Sequence, residues 1–329
     1  MKAVQIQRTG GAEVLEYVDL PTPTPGPAQV LVKAHAIGVN MPDVMVRAGA
    51  FPTPPPLPAI LGIEMSGVVV EAGAQARRFK VGQPVYVSAR ELDQRGGCYA
   101  EYIAVAEDAL YPVPDGVDLD MVVTLAGYQV AYLLLHAATR GFAYDSVLVQ
   151  AAAGGIGSAI VELAKSAGKQ VIALVGSEEK IATALALGAD VALHSRDREL
   201  KAKIAAATGG RGVDLILDPV GGAGLAELFD HLAPMGLVVM FGFLDGRPGN
   251  LSEPIFRHAF RSPAVRLFSM HTFDLDPEIR RDATVELLRL MQTGAVKPRI
   301  HGRLPLSEAA QAHTLLEHRK VSGRLILKP

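Results

Sequence analysis

The sequence predicts an α/β protein, with a β-rich first third followed by a doubly wound parallel sheet. Three observations carry this. Residues 1–120 hold short alternating apolar stretches cut by glycine and proline. From Ser146 onward, strand-length apolar runs alternate with helix-length amphipathic ones. At the junction, residues 146–157 (SVLVQAAAGGIG) run from an apolar strand straight into a glycine-rich turn and then a helix.

The first third reads as several short strands. Val4 and Ile6 share a face in residues 1–7, and Val30, Val32, Ala34 and Ala36 are in phase in residues 29–40. Residues 63–70 (IEMSGVVV), 83–87 and 99–105 are further strands, and residues 42–49 form one inserted helix. Pro21, Pro23, Pro25 and Gly26, the proline run 52–58, Gly73 and Gly82 punctuate them, the pattern of a small barrel or folded sheet. Residues 119–135 are apolar throughout but interrupted by Gly127, and read as two buried helical segments.

The alternating region follows. Strands are expected at 146–151, 170–175, 191–193, 213–218, 237–241 and 265–270. Helices are expected at 158–167, 178–187, 199–208 and 223–233, with Gly168 and Gly188 as stops. A helix at 277–291 starts with Pro277 and ends before Gly294. Another at 307–318 has Ser307 as its N-cap, and 324–327 is a closing strand. The last sixty residues carry no phosphate-type turn, so the chain is expected to return to its first domain. The expected domains are 1–122 with 271–329, and 123–270.

The turn is G-x-G-x-x-G with Ala152 in the first place, then Gly154 and Gly157. Such glycines let backbone approach a pyrophosphate at a helix N-terminus. A tight strand–helix turn with no ligand has the same local sequence. Context separates the two readings. NAD sites usually carry Asp or Glu about twenty residues past the glycines, on the ribose hydroxyls. Here Gly176 stands at that place, followed by Ser177 and, one turn on, Lys180. A glycine removes repulsion against a 2′-phosphate, and a lysine adds attraction, so NADPH is favoured over NADH.

Composition closes off other classes. With 49% hydrophobic and 20% charged residues the chain is globular, and a net charge of −2 without a basic run gives no support to nucleic-acid binding. No apolar run reaches membrane-spanning length and the N-terminus lacks a signal-peptide core, so a cytoplasmic location is expected. Cys98 is the only cysteine, so neither an intrachain disulfide nor a multi-thiolate zinc site can form.

With these motifs in order, the chain resembles the medium-chain dehydrogenase/reductase superfamily, in its zinc-independent quinone oxidoreductase branch. The resemblance spans essentially the whole chain. It rests on GVNMPDVMVRAG (38–49), PAILGIEMSGVVVEAG (58–73), GGCYAEY (96–102), AAAGGIGSAIVELAK (151–165), GSEEK (176–180), LGAD (187–190), DPVGG (218–222), FGFLDG (241–246) and VSGRLIL (321–327). It implies a GroES-like catalytic domain and a Rossmann domain, NADPH as cofactor, a cleft between the domains as active site, and a homodimer. Zinc-dependent relatives place a cysteine where this chain has Asn40 and a histidine where it has Ile63. Their four-cysteine lobe corresponds to residues 87–95, which hold none, so no metal is expected.

By position, the resemblance implies that Asn40 lies near the nicotinamide or substrate, with Tyr128 and Gln129 on the cofactor side. Gly154, Gly155, Ile156 and Gly157 hold the pyrophosphate; Ser177, Lys180 and Ser195 surround the 2′-phosphate. Phe241, Gly242 and Phe243 flank the nicotinamide, and Arg324 reaches a phosphate. Phe51, Tyr128, Phe243 and Leu244 shape the substrate pocket. Relatives often carry tyrosine at the place of Ser195, and enoyl-thioester reductases use a tyrosine proton donor at the place of Phe51, which phenylalanine cannot replace. The expected chemistry is NADPH-dependent reduction of quinones or α,β-unsaturated carbonyls. Asn40 and Tyr128 are the candidate catalytic residues, and Tyr128 or water is the proton donor. Asn40 also reads as a turn residue capping local backbone, and Tyr128 as a half-buried tyrosine. The alternatives are a 2-alkenal or enoyl reductase and a non-catalytic, crystallin-like NADPH-binding protein.

Overall fold

The computed structural model describes residues 1–92 and 94–329. Its first elements are β1 (Lys2–Ile6), β2 (Glu16–Asp19), β3 (Gln29–Gly38), α1 (Met41–Arg47), β4 (Ala59–Ile60), β5 (Glu64–Ala72), β6 (Pro84–Ser88), β7 (Tyr102–Ala106), β8 (Leu110–Pro112) and α2 (Leu119–Val122). Then come α3 (Leu125–His136), β9 (Ser146–Val149), α4 (Gly155–Ser166), β10 (Gln170–Val175), α5 (Glu179–Ala186), β11 (Val191–His194), α6 (Leu200–Ala207) and β12 (Val213–Asp218). The remainder is α7 (Leu225–Leu228), β13 (Leu232–Met240), α8 (Ser252–Arg257), β14 (Ala264–Leu267), α9 (Pro277–Gln292), β15 (Ile300–Pro305), α10 (Ala309–Glu317) and β16 (Arg324–Lys328). No described helix is long and apolar enough to cross a membrane.

The chain forms two compact units, Met1–Ala126 with Val285–Pro329, and Gly127–Thr284. Both divisions fall inside helices, α3 and α9, a few residues beyond 122/123 and fourteen beyond 270/271, the divisions the sequence predicts. Residues 271–284 group with the second unit. One reason is Gln129, whose amide nitrogen donates to the Arg280 carbonyl at 2.9 Å and to Thr284 Oγ1 at 2.8 Å.

The first unit is built on a seven-stranded sheet ordered β15-β16-β3-β5-β6-β8, with β7 also paired to β3, and a three-stranded sheet β2-β1-β4. The apolar alternation of β3 holds at its start and then changes phase: the register against β5 shifts between Ala34 and Ala36, so Ile37 rather than Ala36 joins Val30 and Val32 in one core, and Ala36 packs with Val123 and Ile326. Val30 and Val32 enter a core with Val4, Ile6, Met65, Val69, Val85 and Val87. Four strands escape the sequence reading: β2, β4, β8 and β15. They are short or carry polar side chains, and β15 sits at a sheet edge with alternately exposed residues.

The second unit is one parallel sheet, β11-β10-β9-β12-β13-β14. In order of appearance this is 3-2-1-4-5-6, the doubly wound dinucleotide-binding order, with its switch point between β9 and β12. β9 and β12 are buried at every residue, which is why they read as unbroken apolar runs.

Several boundaries move. β9 stops at Val149 because Ala151 turns left-handed, at φ 52°. The helix expected at 223–233 is only α7 plus a 3-10 turn at Phe229–His231, because Leu232 already pairs with Val213 in β13. The last strand of this sheet is β14, and Met270–Asp274 is a 3-10 turn. Gly127 lies within α3; the break between α2 and α3 falls at residues 123–124. Ser307 lies in a 3-10 turn at Leu306–Glu308, so it does not cap α10.

Candidate active site

The glycine turn leaves β9 at the switch point. The Ala152 N–H donates to the Leu174 carbonyl of β10 at 3.0 Å, and the Gly154 N–H to the Ala151 carbonyl at 2.9 Å. Gly154 is the N-cap of α4, and Gly155, Ile156 and Gly157 form its first turn, whose amides have no partner in the helix itself. Gly157 admits no side chain: a Cβ there would stand 2.2 Å from the Ala151 carbonyl oxygen. The motif's first position, Ala152, is fully buried, and the strained backbone falls on Ala151 beside it.

Beside this turn, β10 and β11 pair as far as Val175 and His194, and the Ser195 N–H continues the ladder to the Val175 carbonyl at 2.8 Å. Gly176–Ser177 and Ser195 therefore leave the sheet together. Nothing stands within 4 Å of where a Cβ on Gly176 would be, so the space an acidic side chain would fill is open. Lys180 lies in the first turn of α5, its N–H bonded to the Ser177 carbonyl at 3.1 Å.

On the other side of the switch point, the loops after β12 and β13 are laced together. Leu244 and Asp245 donate from their backbones to the Pro219 and Val220 carbonyls, at 3.1 and 2.8 Å. The Asp218 carboxylate, fully buried, accepts the N–H groups of Val220 and Gly221, each at 2.9 Å. Burial pushes this carboxyl above its ordinary range, against the pull of those two bonds. Gly242 is required here as well, since a Cβ would lie 2.6 Å from the Pro219 carbonyl oxygen. Phe241 and Gly242 are half-buried, while Phe243 and Leu244 are exposed. Gly154–Gly157, Ser177, Lys180, Ser195 and 241–244 thus all lie at the carboxyl ends of parallel strands, where ligands of such sheets bind.

In the first unit, Asn40 and Arg324 meet. Asn40 Nδ2 donates to Glu64 Oε1 at 2.9 Å, and Arg324 Nη1 donates to Asn40 Oδ1 at 2.6 Å. Arg324 Nη2 reaches the Thr124 carbonyl at 3.3 Å and stands 3.8 Å from Glu64 Oε1; its Nε is buried without a partner. Glu64 also accepts from the Tyr86 hydroxyl at 3.1 Å and the Ala126 N–H at 2.9 Å. Burial pushes its carboxyl up, opposed by Arg324 and these bonds. Asn40 is at the same time the N-cap of α1, and its N–H donates to Asp43 Oδ2 at 2.9 Å. Asp43 is pushed up to about 7, chiefly by burial and with the help of Glu64. The Tyr99 hydroxyl stands 3.5 Å from Asp43 Oδ2 and 3.0 Å from His313 Nε2. His313 is pushed down to about 3 by burial and the nearby Arg47.

Phe51 packs against the first unit's apolar core. In α3, the buried Tyr128 hydroxyl donates to Glu162 of α4. Gln129 is committed to α9 as described. Cys98 is buried and its thiol is pushed well up by that burial. Among the described residues no group of three or more His, Cys, Asp or Glu is placed to hold a metal. The sequence reading passed over Asp43, Glu64 and Glu162. The first two had a signal: an acid three residues after a candidate N-cap, and an acid opening an apolar strand.

Known proteins match the chain over its full length. The family model for an alcohol dehydrogenase GroES-like domain matches residues 26–115, and that for a zinc-binding dehydrogenase matches 155–288. A Pseudomonas aeruginosa protein named quinone oxidoreductase is 34% identical, covering 100% of this chain and 99% of its own. A Burkholderia 2-haloacrylate reductase is 30% identical, covering 99% of this chain and 98% of its own. The Escherichia coli quinone oxidoreductase solved in complex with NADPH is 27% identical, with a TM-score of 0.86 and full coverage of both chains. Sheet order, glycine turn and full-length likeness together place the chain in the medium-chain dehydrogenase/reductase superfamily, as a member of its quinone oxidoreductase branch.

Proposed function

We propose that this chain is an NADPH-dependent reductase of quinones and related α,β-unsaturated carbonyls, and that it works without zinc. The observation that carries the cofactor is the pairing of a close-approach glycine turn at the switch point with an open space at Gly176. Gly157 lets the turn come near a pyrophosphate, and the first amides of α4 point at it. Gly176 leaves room for a 2′-phosphate that Ser177, Lys180 and Ser195 surround. When bound, NADPH supplies the hydride. The laced loops holding Phe241, Gly242 and Phe243 form the surface against the nicotinamide.

Asn40 is the polar group offered to the acceptor's oxygen. Glu64 and Arg324 fix its amide, and its second N–H remains for a developing oxyanion. Arg324 is assigned to holding Asn40, since its guanidinium is committed there, to the Thr124 carbonyl and beside Glu64. Phe243 and Leu244, both exposed, supply apolar surface for a quinone. The Tyr128 proton is directed at Glu162, so water is assigned as the proton source. A zinc-free reaction is supported by the donor chemistry: Asn40 and Ile63 are poor zinc ligands, and the single thiol is buried.

The Burkholderia relative favours a second reading, reduction of an activated alkene. Steady-state oxidation of NADPH with 1,4-benzoquinone, 9,10-phenanthrenequinone and a 2-alkenal separates the two by acceptor preference. Saturable NADPH binding with no turnover of any acceptor would instead make the chain a non-catalytic binding protein.

We also propose a homodimer formed through β14. This strand is the sheet's edge and all four of its residues are exposed, with Phe256, Phe260 and Leu275 exposed as well. An apolar edge of this kind is suited to pairing with a second copy.

A further inference from the structure

The stretch that follows β10 carries a net negative charge. Between Gly176 and Lys180 it carries two carboxylates, on Glu178 and Glu179, against one ammonium, on Lys180. A dianionic phosphate is better matched by a second cation, and the stretch after the neighbouring strand β11 offers one.

The register of β10 and β11 shows which residue that is. Val175 pairs with His194, and the Ser195 N–H reaches the Val175 carbonyl at 2.8 Å. Neighbouring strands lie about 4.8 Å apart. Gly176 and Ser177 therefore run beside Ser195 and Arg196 as the chain leaves the sheet. Arg196 is exposed, and its backbone is held in place by an N–H bond to His194 Nδ1 at 3.1 Å. Among the described residues its guanidinium makes no ion pair or hydrogen bond. Three lysines of this unit are engaged: Lys165 with Asp190 at 2.8 Å, Lys201 with Asp230 at 3.2 Å, Lys203 with Asp197 at 2.6 Å. The pairing of Lys203 matters, because it neutralises the one acid next to Arg196. Nothing stands within 4 Å of where a Cβ on Gly176 would be.

We propose that Arg196 determines cofactor specificity by pairing its guanidinium with the adenosine 2′-phosphate of NADPH, together with Lys180 and the Ser177 hydroxyl. A guanidinium fork binds two phosphate oxygens at once, which a lysine cannot do. The assignment rests on NADPH being the cofactor.

The test is equilibrium binding of NADPH, NADH, 2′,5′-ADP and 5′-ADP to the full-length protein and its Arg196→Ala, Arg196→Lys and Arg198→Ala variants. Arg196→Ala is expected to weaken NADPH and 2′,5′-ADP at least about tenfold, the worth of one charged hydrogen bond. NADH and 5′-ADP should change by less than about twofold, and Arg196→Lys should recover part of the loss. Arg198→Ala, two residues on and also exposed, should behave as the unaltered protein. An Arg196→Ala variant that keeps the preference for NADPH, or weakens all four ligands alike, overturns the assignment. An unaltered protein that does not distinguish NADPH from NADH overturns the cofactor reading, and the assignment falls with it.

Discussion

Asp43 and His313 both approach the Tyr99 hydroxyl, and burial moves them in opposite senses. Asp43 is raised from 3.8 to about 7 in the folded protein. A carboxyl raised on folding lends stability below its unfolded value and loses it as pH climbs through the folded one, here between about 4 and 7. His313 is lowered from 6.5 to about 3, so its contribution is present above 6.5 and lost as pH falls toward 3. Asp43→Asn removes only the first effect. Its melting temperature relative to the unaltered protein should therefore be higher at pH 8 than at pH 5; a constant difference would contradict a buried, titrating Asp43. Tyr128 supplies a second residue-scale prediction. Its proton points at Glu162, so Tyr128→Phe should keep kcat within about threefold, against the roughly 10²–10⁴ that a general acid contributes. A loss of that larger size would return the role of acid to Tyr128.

Among the elements, the strand–turn–helix unit β9–α4 was the most legible. A parallel strand buried on both faces is apolar at every position, so β9 and β12 announce themselves without tertiary information. β15 did not, because it lies at a sheet edge and alternates half-buried with exposed residues. The helix expected at 223–233 failed for a different reason. Leu232 and Ala233 fit either state, and pairing with β12 decides for the strand. The glycine turn was legible because strand, turn and helix follow one another in the chain. The Asn40–Arg324 contact was not, since it joins positions 284 residues apart and leaves no spacing to read. The element-scale prediction concerns Gly157. An alanine there meets the Ala151 carbonyl at 2.2 Å, so α4 must shift from β9. Gly157→Ala should cost about 1–3 kcal/mol in chemical denaturation, typical of overpacking, and weaken NADPH binding. Unchanged values of both would show that the turn has slack.

For the whole molecule, the exposed β14 edge leads to a prediction about assembly. Leu267→Lys places a charge on that edge and should convert a dimer to a monomer in analytical ultracentrifugation, with NADPH binding retained. A dimer that persists would locate the interface elsewhere, and an unaltered protein that is already monomeric would remove the proposal. The central claim is that the chain reduces a polarised acceptor with NADPH and no metal. The most direct measurement is the initial rate of NADPH oxidation with 1,4-benzoquinone, before and after exhaustive dialysis against a chelator. The account predicts saturable turnover that the chelator leaves unchanged. No turnover, or turnover lost with the chelator and restored by zinc, would contradict it.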